Sequence, residues 1–356
     1  MSRERVIRIG GRLVGANQPP FVIAEIGLNH RGSLDRALAL VDAAARAGAS
    51  AIKLQTLTPG GLVVPGAPAP VHVNARSMSE FFRQFELDEH AHRQIVARGR
   101  ALGLAVLATP LSLEAVDLLE RVGIDAYKIA SGDITWERLI RRCGETRKPV
   151  VISTGMAALL EAARAVACAR FSGASGIALL HCVSAYPVPE GSENLRAVAT
   201  LADAFNLPVG LSDHSADTSS WPLAVALGAS IYERHIVLSA DDGSIDAAVS
   251  SDPVQLAAAI RAGARAAEAA GSGVKMCLPA EAPNRTPSRR GLYARRTMAA
   301  GEVVMPADIV ALRPAIGVAV SREPELIGVT LSRDIEAGMA FLESDLDASV
   351  RVPNVA

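Results

Sequence analysis

A regular alternation of short apolar runs and amphipathic segments is the feature that most restricts the fold of this chain. Runs that predict buried strands occur at residues 21–26, 51–54, 104–108, 126–129, 150–153, 177–181, 209–212 and 230–233. The segments between them carry apolar residues at helical spacing. About eight successive βα units predict an α/β fold, the TIM (β/α)8 barrel, which takes about 250 residues. A doubly wound open sheet is the alternative, but the first βα turn lacks the GxGxxG sequence.

The chain has further segments before and after the predicted barrel. Residues 6–14 alternate around a Gly-Gly pair and predict a small hairpin. Residues 278–288 contain three prolines and predict a linker, and the pattern of short strands and turns after it predicts a small compact domain. The predicted organisation is therefore a barrel domain over 1–277 with its N-terminal hairpin, a linker over 278–288 and a small domain over 289–356.

Charge and cysteine content exclude several classes of function. The 356 residues include 36 basic and 37 acidic side chains, a balance that argues against nucleic acid as a partner. Four cysteines without a CxxC pair make a disulfide framework unexpected. The sequence shows neither a signal peptide nor a membrane span, so we expect a cytoplasmic enzyme that does not bind membranes.

Polar residues cluster at the carboxyl ends of the predicted strands, where TIM barrels carry their active sites. Lys53 and Lys128 each follow an apolar residue within a strand, and an unpaired buried ammonium group is costly. Two such lysines in one barrel mouth predict an anionic ligand, such as a phosphate or a phosphorylated carboxylate. Glu25 and Glu233 are candidates to pair with the lysines or to act as acid–base groups. Candidate hydroxyl donors are Ser131, Ser153, Ser184 and Ser212.

Two histidines follow neighbouring strands in the segment PVGLSDHSADTSSWPLAVALGASIYERHI. His214 and His235 each lie just past the end of a predicted strand. Parallel strands lie about 4.8 Å apart, so both imidazoles can reach one ion. A structural role for each histidine is the alternative interpretation.

These residues belong to a series of motifs that resembles a known family. AEIGLNHRGS, AIKLQT, YKIASGD, ISTGM, LLHCVSAYPVP, GLSDHS and ERHI occur in this order, and RRGLYA, AGEVV and IVALRPAIG follow near the C-terminus. The set is similar to the sialic acid synthases, also called N-acetylneuraminate or nonulosonate synthases. The resemblance implies a TIM barrel followed by an antifreeze-like SAF domain of the β-clip type.

The resemblance also implies an activity and a set of site residues. Members condense phosphoenolpyruvate with an N-acetylmannosamine-type sugar, cleave the C–O bond to phosphate and release a nine-carbon 2-keto acid. They require a divalent metal, for which we expect Mn²⁺, with Mg²⁺ or Co²⁺ as alternatives. The implied catalytic residues are Glu25 and the metal ligands His214 and His235. The implied phosphoenolpyruvate-binding residues are Lys53, Lys128, Ser131, Ser153, Ser184 and Ser212. The implied sugar-binding residues are Gln55, Asn74, Asp133, Tyr186, Glu233, Asp246 and Arg313. A homodimer is implied as well, with Arg313 reaching the barrel of the other subunit.

Several positions depart from the family pattern and leave the sugar open. Asp133 stands where many members have glutamate, and Ser184 where the simplest sialic acid synthases have asparagine. ADDGSIDAAVS replaces a more typical PGPDHAFS around Asp246. The acceptor is N-acetylmannosamine, its 6-phosphate, or a diacetamido hexose that leads to legionaminic or pseudaminic acid. Two other functions remain as alternatives: a Schiff-base aldolase with Lys53 or Lys128 as the amine, and a non-catalytic carbohydrate-binding protein.

Overall fold

The computed structural model describes residues 5–58, 60–64, 66–68 and 77–347. It divides into two compact units, Met1–Gly271 and Ser272–Ala356. The boundary falls a few residues before the predicted start of the linker at residue 278. Asn74, one of the predicted sugar-binding residues, lies outside the described residues. Within the described parts of the chain, no helix is both long and apolar enough to span a membrane.

The first unit begins with the predicted hairpin. Strand β1 (Val6–Ile9) pairs antiparallel with β2 (Arg12–Gly15) across a turn in which both glycines have positive φ. Ile7, Ile9 and Val14 are buried and pack with apolar residues from the interior of the following sheet. The hairpin therefore closes one end of that sheet.

Eight parallel strands form a closed barrel, which confirms the predicted TIM fold. They are β3 (Phe21–Gly27), β4 (Ala51–Thr56), β5 (Ala105–Pro110), β6 (Ala126–Ile129), β7 (Val150–Ser153), β8 (Ile177–Cys182), β9 (Val209–Asp213) and β10 (Ile231–Ile236). Each strand pairs with the next along the chain, and β10 pairs with both β9 and β3 to complete the ring. A two-residue strand, β11 (Ser250–Ser251), pairs in parallel with His235 and Ile236, the last two residues of β10.

Amphipathic helices surround the barrel. They are α1 (Leu34–Ala47), α2 (Met78–Arg83), α3 (Glu89–Ala101), α4 (Leu113–Val122), α5 (Glu137–Glu145), α6 (Leu159–Phe171), α7 (Ala197–Phe205), α8 (Ser220–Ala226) and α9 (Pro253–Ala270). Helix α1 illustrates the local signals: Ser33 Oγ accepts a hydrogen bond from Arg36 N at its start, and Gly48 ends it in the left-handed region. The buried faces of these helices form the main core with the outward-facing strand residues.

The second unit is small and has its own core. It contains α10 (Ala282–Ser288), an antiparallel pair of strands, β12 (Gly291–Ala294) and β13 (Ile309–Leu312), and the short helices α11 (Glu323–Leu326) and α12 (Glu343–Asp347). Helix α10 lies within the predicted linker. Pro283 falls in its first turn, where the missing N–H is not needed, while Pro287 lies inside the helix, one residue before its end at Ser288. Leu292, Val318 and Phe341 are among the fully buried core residues.

Candidate active site

A cavity of about 360 Å³ opens at the carboxyl ends of the barrel strands. Strand geometry explains why polar residues line it. Successive side chains of a strand alternate between the barrel interior and the surrounding helices. Most of the residues predicted for the site share this cavity: Glu25, Lys53, Gln55, Lys128, Ser131, Ser153, Ser184, Tyr186, Ser212, His214, Glu233 and His235. The polar residues that the sequence analysis placed at the carboxyl ends of the strands therefore lie together in one cavity.

Two lysines and two glutamates form a buried charged cluster at the base of the cavity. Lys53 Nζ contacts Glu25 Oε2 and lies 3.3 Å from Glu233 Oε1, and Lys128 Nζ lies 3.6 Å from the same Glu233 atom. Ser212 Oγ donates a hydrogen bond of 2.9 Å to Glu233 Oε1. The lysines are thus paired with carboxylates, one of the two roles that the sequence left open for Glu25 and Glu233.

Burial and charge shift the ionisation of this cluster. Burial lowers the pKa of Lys53 to about 8, against the opposing attraction of Glu233. Burial alone would raise the pKa of Glu233, but Lys128 and Lys53 outweigh it and hold the carboxyl below its usual value. Glu233 is therefore ionised at neutral pH, and Lys53 loses its proton more readily than an exposed lysine does.

A bulge in β3 shapes the surroundings of Glu25. The register between β3 and β4 shifts between Glu25 and Gly27, and Gly27 has φ of +51°. Gly27 N donates a 2.6 Å hydrogen bond to Glu25 Oε1, which leaves Oε2 facing Lys53. A Cβ atom at Gly27 would lie 3.0 Å from His235 Nδ1. Glycine here allows a strained turn and a close approach to the histidine.

The two predicted histidines face each other in the cavity, with ring centroids 5.6 Å apart. His214 follows β9 as expected. The prediction that His235 lies just past a strand was wrong, because pairing of His235 with Ser250 of β11 extends β10 to Ile236. His214 Nδ1 lies 3.2 Å from the Val183 carbonyl oxygen.

His235 is the less satisfied of the two imidazoles. Its Nδ1 is buried without a hydrogen-bond partner among the described residues, 3.7 Å from Asp246 Oδ2. Burial, assisted by Lys53, lowers the pKa of His235 to about 3, so the ring is neutral at physiological pH. Burial also raises the pKa of Asp246. A neutral imidazole with an unpaired nitrogen is the form that binds metal ions.

Serine hydroxyls also line the cavity. Ser131 Oγ accepts a 3.0 Å hydrogen bond from Gly155 N. A Cβ atom at Gly155 would lie only 2.3 Å from Ser184 Oγ, so a side chain there would displace these hydroxyls. Ser153 Oγ is buried and has no hydrogen-bond partner in the described protein. An unpaired buried hydroxyl is available to a ligand.

Asp133 and Asp246 are not among the residues that line the cavity. Asp133 is half-buried in a one-turn 3-10 helix, Ser131–Asp133, where burial raises its pKa despite the opposing charge of Lys128. Asp246 reaches the site through its contact with His235. Arg313 is exposed directly after β13 in the second unit, and its approach to another subunit stays a prediction.

The structure adds Cys182, Thr109 and Met156 to the lining of the cavity. The sequence offered a signal for Cys182, because it lies two residues after the interior residue Leu180. Its neighbour His181 instead lies with Nε2 2.7 Å from the Glu193 carbonyl oxygen. Alternation within the strand, rather than polarity alone, distinguishes these two positions.

Comparison with known proteins agrees with this geometry. Residues 40–275 match the model of the NeuB family, and residues 289–347 match the SAF domain. The N,N'-diacetyllegionaminic acid synthase of Campylobacter jejuni (serotype O:2) is 34% identical, over 86% of this chain and 94% of that protein. A pseudaminic acid synthase of Campylobacter jejuni (serotype O:23/36) is 33% identical, over 91% of this chain and 96% of that protein.

A solved structure shares the fold. The crystal structure of N-acetylneuraminic acid (sialic acid) synthetase from Leptospira borgpetersenii, in complex with citrate, superposes with a TM-score of 0.72 at 31% identity, covering 79% of this chain and 95% of that one. The family match spans most of the barrel, and the SAF match spans most of the second unit. The chain therefore belongs to the NeuB family of sialic acid synthases, with a TIM barrel followed by a C-terminal SAF domain.

Proposed function

We propose that this protein condenses phosphoenolpyruvate with an acetamido sugar, N-acetylmannosamine or a related compound, to a nine-carbon 2-keto acid and releases phosphate. The buried cluster of Lys53, Lys128, Glu25 and Glu233 beside two histidines is the observation that carries this proposal. In the same cavity, Glu233 Oε2 and Ser153 Oγ have no hydrogen-bond partner among the described residues, which favours the binding of a polar ligand.

The lysines and serines form the proposed binding site for phosphoenolpyruvate. Lys53 and Lys128 supply two ammonium groups, and the hydroxyls of Ser131, Ser153 and Ser184 face the same cavity. Ammonium and hydroxyl groups suit the phosphate and carboxylate oxygens of this substrate. Since carboxylates already pair with the lysines, the charged side chains that line the cavity balance each other. Binding of a multiply charged anion is then favoured by a further positive charge.

The histidine pair supports the proposal of a divalent metal site. Both rings border the same space, His235 is neutral, and its unpaired Nδ1 faces the Asp246 carboxylate. No group of three or more potential ligands is present among the described residues, so two protein ligands would leave positions for water and substrate. When bound there, a divalent ion, Mn²⁺ in our proposal, would act as a Lewis acid on the sugar aldehyde.

The residues that line the cavity have distinct roles in the proposed reaction. C3 of phosphoenolpyruvate forms a bond to the aldehyde carbon, water adds at C2, and the C2–O bond to phosphate breaks. Gly27 N and Lys53 hold the Glu25 carboxylate at the base of the cavity, where we assign it the proton of the attacking water. Lys53 and Lys128 hold the departing phosphate. Gln55, Tyr186 and Glu233 line the part of the cavity assigned to the sugar.

A diacetamido hexose is the second candidate acceptor. The relatives named as legionaminic and pseudaminic acid synthases match this chain at 34% and 33% identity over most of its length. Asp133, in place of the glutamate of many members, directly follows the lining residues Ser131 and Gly132. In this proposal its shorter side chain leaves more room beside them for a second acetamido group.

A substrate panel tests the proposal. Purified protein with Mn²⁺ and phosphoenolpyruvate is supplied with N-acetylmannosamine, its 6-phosphate and the diacetamido hexoses, and phosphate release is measured. We expect acceptor-dependent release that stops when EDTA is added and returns with excess Mn²⁺. Activity that survives EDTA, with substrate trapped on a lysine by borohydride, would instead indicate the Schiff-base aldolase. No release with any acceptor would leave a carbohydrate-binding protein.

A further inference from the structure

Arg234 occupies an unusual position in the barrel wall. It lies on β10 between Glu233 and His235, so its side chain points away from the cavity into the layer between barrel and helices. Only 1% of its surface is exposed. It stands opposite Asp213 in the register of β9 and β10, and its Nη1 lies 3.6 Å from Asp213 Oδ2. A buried ion pair therefore lies directly behind the two histidines.

The guanidinium group binds the chain segment that carries His214. Arg234 Nη1 donates to the carbonyl oxygen of Ser215 at 2.7 Å, and to that of Asp213 at 3.4 Å. Arg234 Nε donates to Ser251 Oγ at 3.1 Å, and Ser251 belongs to β11. One side chain thus ties both flanks of His214 to the pair of strands β10 and β11.

Asp213 reinforces the same segment. Its Oδ1 accepts a 2.9 Å hydrogen bond from Ser215 N, and its Oδ2 accepts one of 2.9 Å from the Tyr232 hydroxyl. The ring of Tyr232 stacks on Trp221 of α8 at 4.6 Å, which holds the hydroxyl in place. The backbone on either side of His214 is fixed from two directions.

Stability alone is a poor explanation for charges at this position. Replacing a buried ion pair by apolar groups of similar size is often neutral or stabilising. Elsewhere the same layer is filled by apolar residues such as Val22, Leu54 and Ile152, which are at most 2% exposed. The ion pair makes directed hydrogen bonds to the backbone around His214, which an apolar pair could not make.

We propose that Arg234 is a positioning residue, which holds His214 at the distance and orientation from His235 that lets both bind one divalent ion. This inference rests on the metal site of the proposed function. Arg234 touches neither substrate nor ion, so its loss is expected to act through metal affinity. Partners outside the ligands themselves typically change metal affinity or activity by about 10–100-fold.

Binding of Mn²⁺ alone, measured by calorimetric titration of the full chain, tests this role. Arg234→Met removes every bond to the backbone while keeping apolar bulk, and we expect its Kd for Mn²⁺ to rise about 10–100-fold. At saturating Mn²⁺, its KM for phosphoenolpyruvate stays close to that of the wild type. Tyr127→Phe is the matched control, because Tyr127 is buried in the same layer next to Lys128 and donates to Glu120 Oε1 at 2.7 Å. This variant should lose some thermal stability and keep the wild-type Kd.

A folded Arg234→Met variant with the wild-type Kd for Mn²⁺ would overturn the proposal. If that variant does not fold, Arg234→Lys decides. A single ammonium group cannot reach Ser215 O and Ser251 Oγ together, so weaker Mn²⁺ binding supports the role and unchanged binding refutes it. Wild-type protein that binds Mn²⁺ but releases no phosphate with any acceptor refutes the proposed function alone. In that case, comparing the Kd for Mn²⁺ of the wild type with that of the Arg234 variants still tests the role of Arg234.

Discussion

The two ends of the barrel interior are built from the same strands and have opposite chemistry. At the closed end, Ile23, Ala51, Ala126, Val151 and Ile231 pack with the hairpin in an apolar layer. Two residues further along each of those strands stand Glu25, Lys53, Lys128, Ser153 and Glu233, which line the cavity. The layers are only about 7 Å apart along a strand. The apolar layer therefore contributes to the stability of the fold without a ligand.

Stability and activity are therefore separated along the strands rather than between domains. The apolar layer gains free energy from burial. The polar layer contains unpaired atoms on Ser153, Glu233 and His235, each of which costs free energy until a ligand arrives. Substitutions at the polar end should therefore mainly lower activity, and substitutions at the closed end should mainly lower the free energy of unfolding. Removal of an unpaired polar atom can even raise the free energy of unfolding.

The largest expected effect is at the polar end. His235→Ala removes an imidazole assigned to the metal, and loss of Lewis-acid stabilisation of several kcal/mol lowers kcat about a thousandfold or more. The unfolding transition should stay near that of the wild type, since the lost packing of a buried ring is offset by removal of a buried nitrogen that has no hydrogen-bond partner among the described residues. Phosphate release and thermal denaturation measured on one preparation check both statements. A variant that keeps near-normal activity would remove His235 from the metal site.

The next effect is at the closed end. Ile9 is fully buried under the barrel, and Ile9→Ala should lower the free energy of unfolding by about 2–5 kcal/mol through lost burial and a residual cavity. Denaturant titration measures this loss. In the folded fraction, kcat at saturating substrate should equal that of the wild type. A fall in kcat as large as that of His235→Ala would show that the two ends are not separable.

The pH dependence of activity and that of stability should differ in sign at one residue of the polar end, Lys53. Burial lowers the pKa of Lys53 to about 8, and the proposed function needs its ammonium form. We expect kcat/KM for phosphoenolpyruvate to fall about tenfold per pH unit above pH 8. Stability should move the other way. The unfolded chain binds this proton up to its ordinary pKa, so the Lys53 contribution to unfolding free energy rises between pH 8 and about 10.4.

Lys53→Arg is the control for this profile, because a guanidinium group stays protonated throughout the range. Its kcat/KM should be lower than that of the wild type, because the side chain is larger, but flat around pH 8. An unchanged alkaline limb in Lys53→Arg would assign the titration to a different group.

The sequence predicted the barrel and most of the cavity lining because both follow from local patterns. Eight apolar runs with polar ends define the strands, and position at a strand end brings Glu25, Lys53 and His214 into one cavity. The Asp213–Arg234 pair was missed, since its charges suggest exposure and only the register of β9 and β10 brings them together. Residues 278–288 were predicted as a linker from their prolines, but proline is also favoured in the first turn of a helix, where Pro283 of α10 lies.

The smallest expected effect is a change in the free energy of unfolding at Ser153, and its sign tests whether the polar layer is satisfied without a ligand. Ser153→Ala removes a buried hydroxyl that has no hydrogen-bond partner among the described residues, so the free energy of unfolding should rise by up to about 1 kcal/mol. The KM for phosphoenolpyruvate should rise about tenfold, because a hydrogen bond to a charged group contributes about 1.5–3 kcal/mol. Ser230→Ala is the matched control at the other end of a strand, where Ser230 Oγ donates to the Val209 carbonyl oxygen at 3.2 Å. That variant should lose about 1 kcal/mol and keep its KM. If both serine variants lose stability equally, Ser153 is satisfied within the protein, and the polar layer does not store free energy for its ligand.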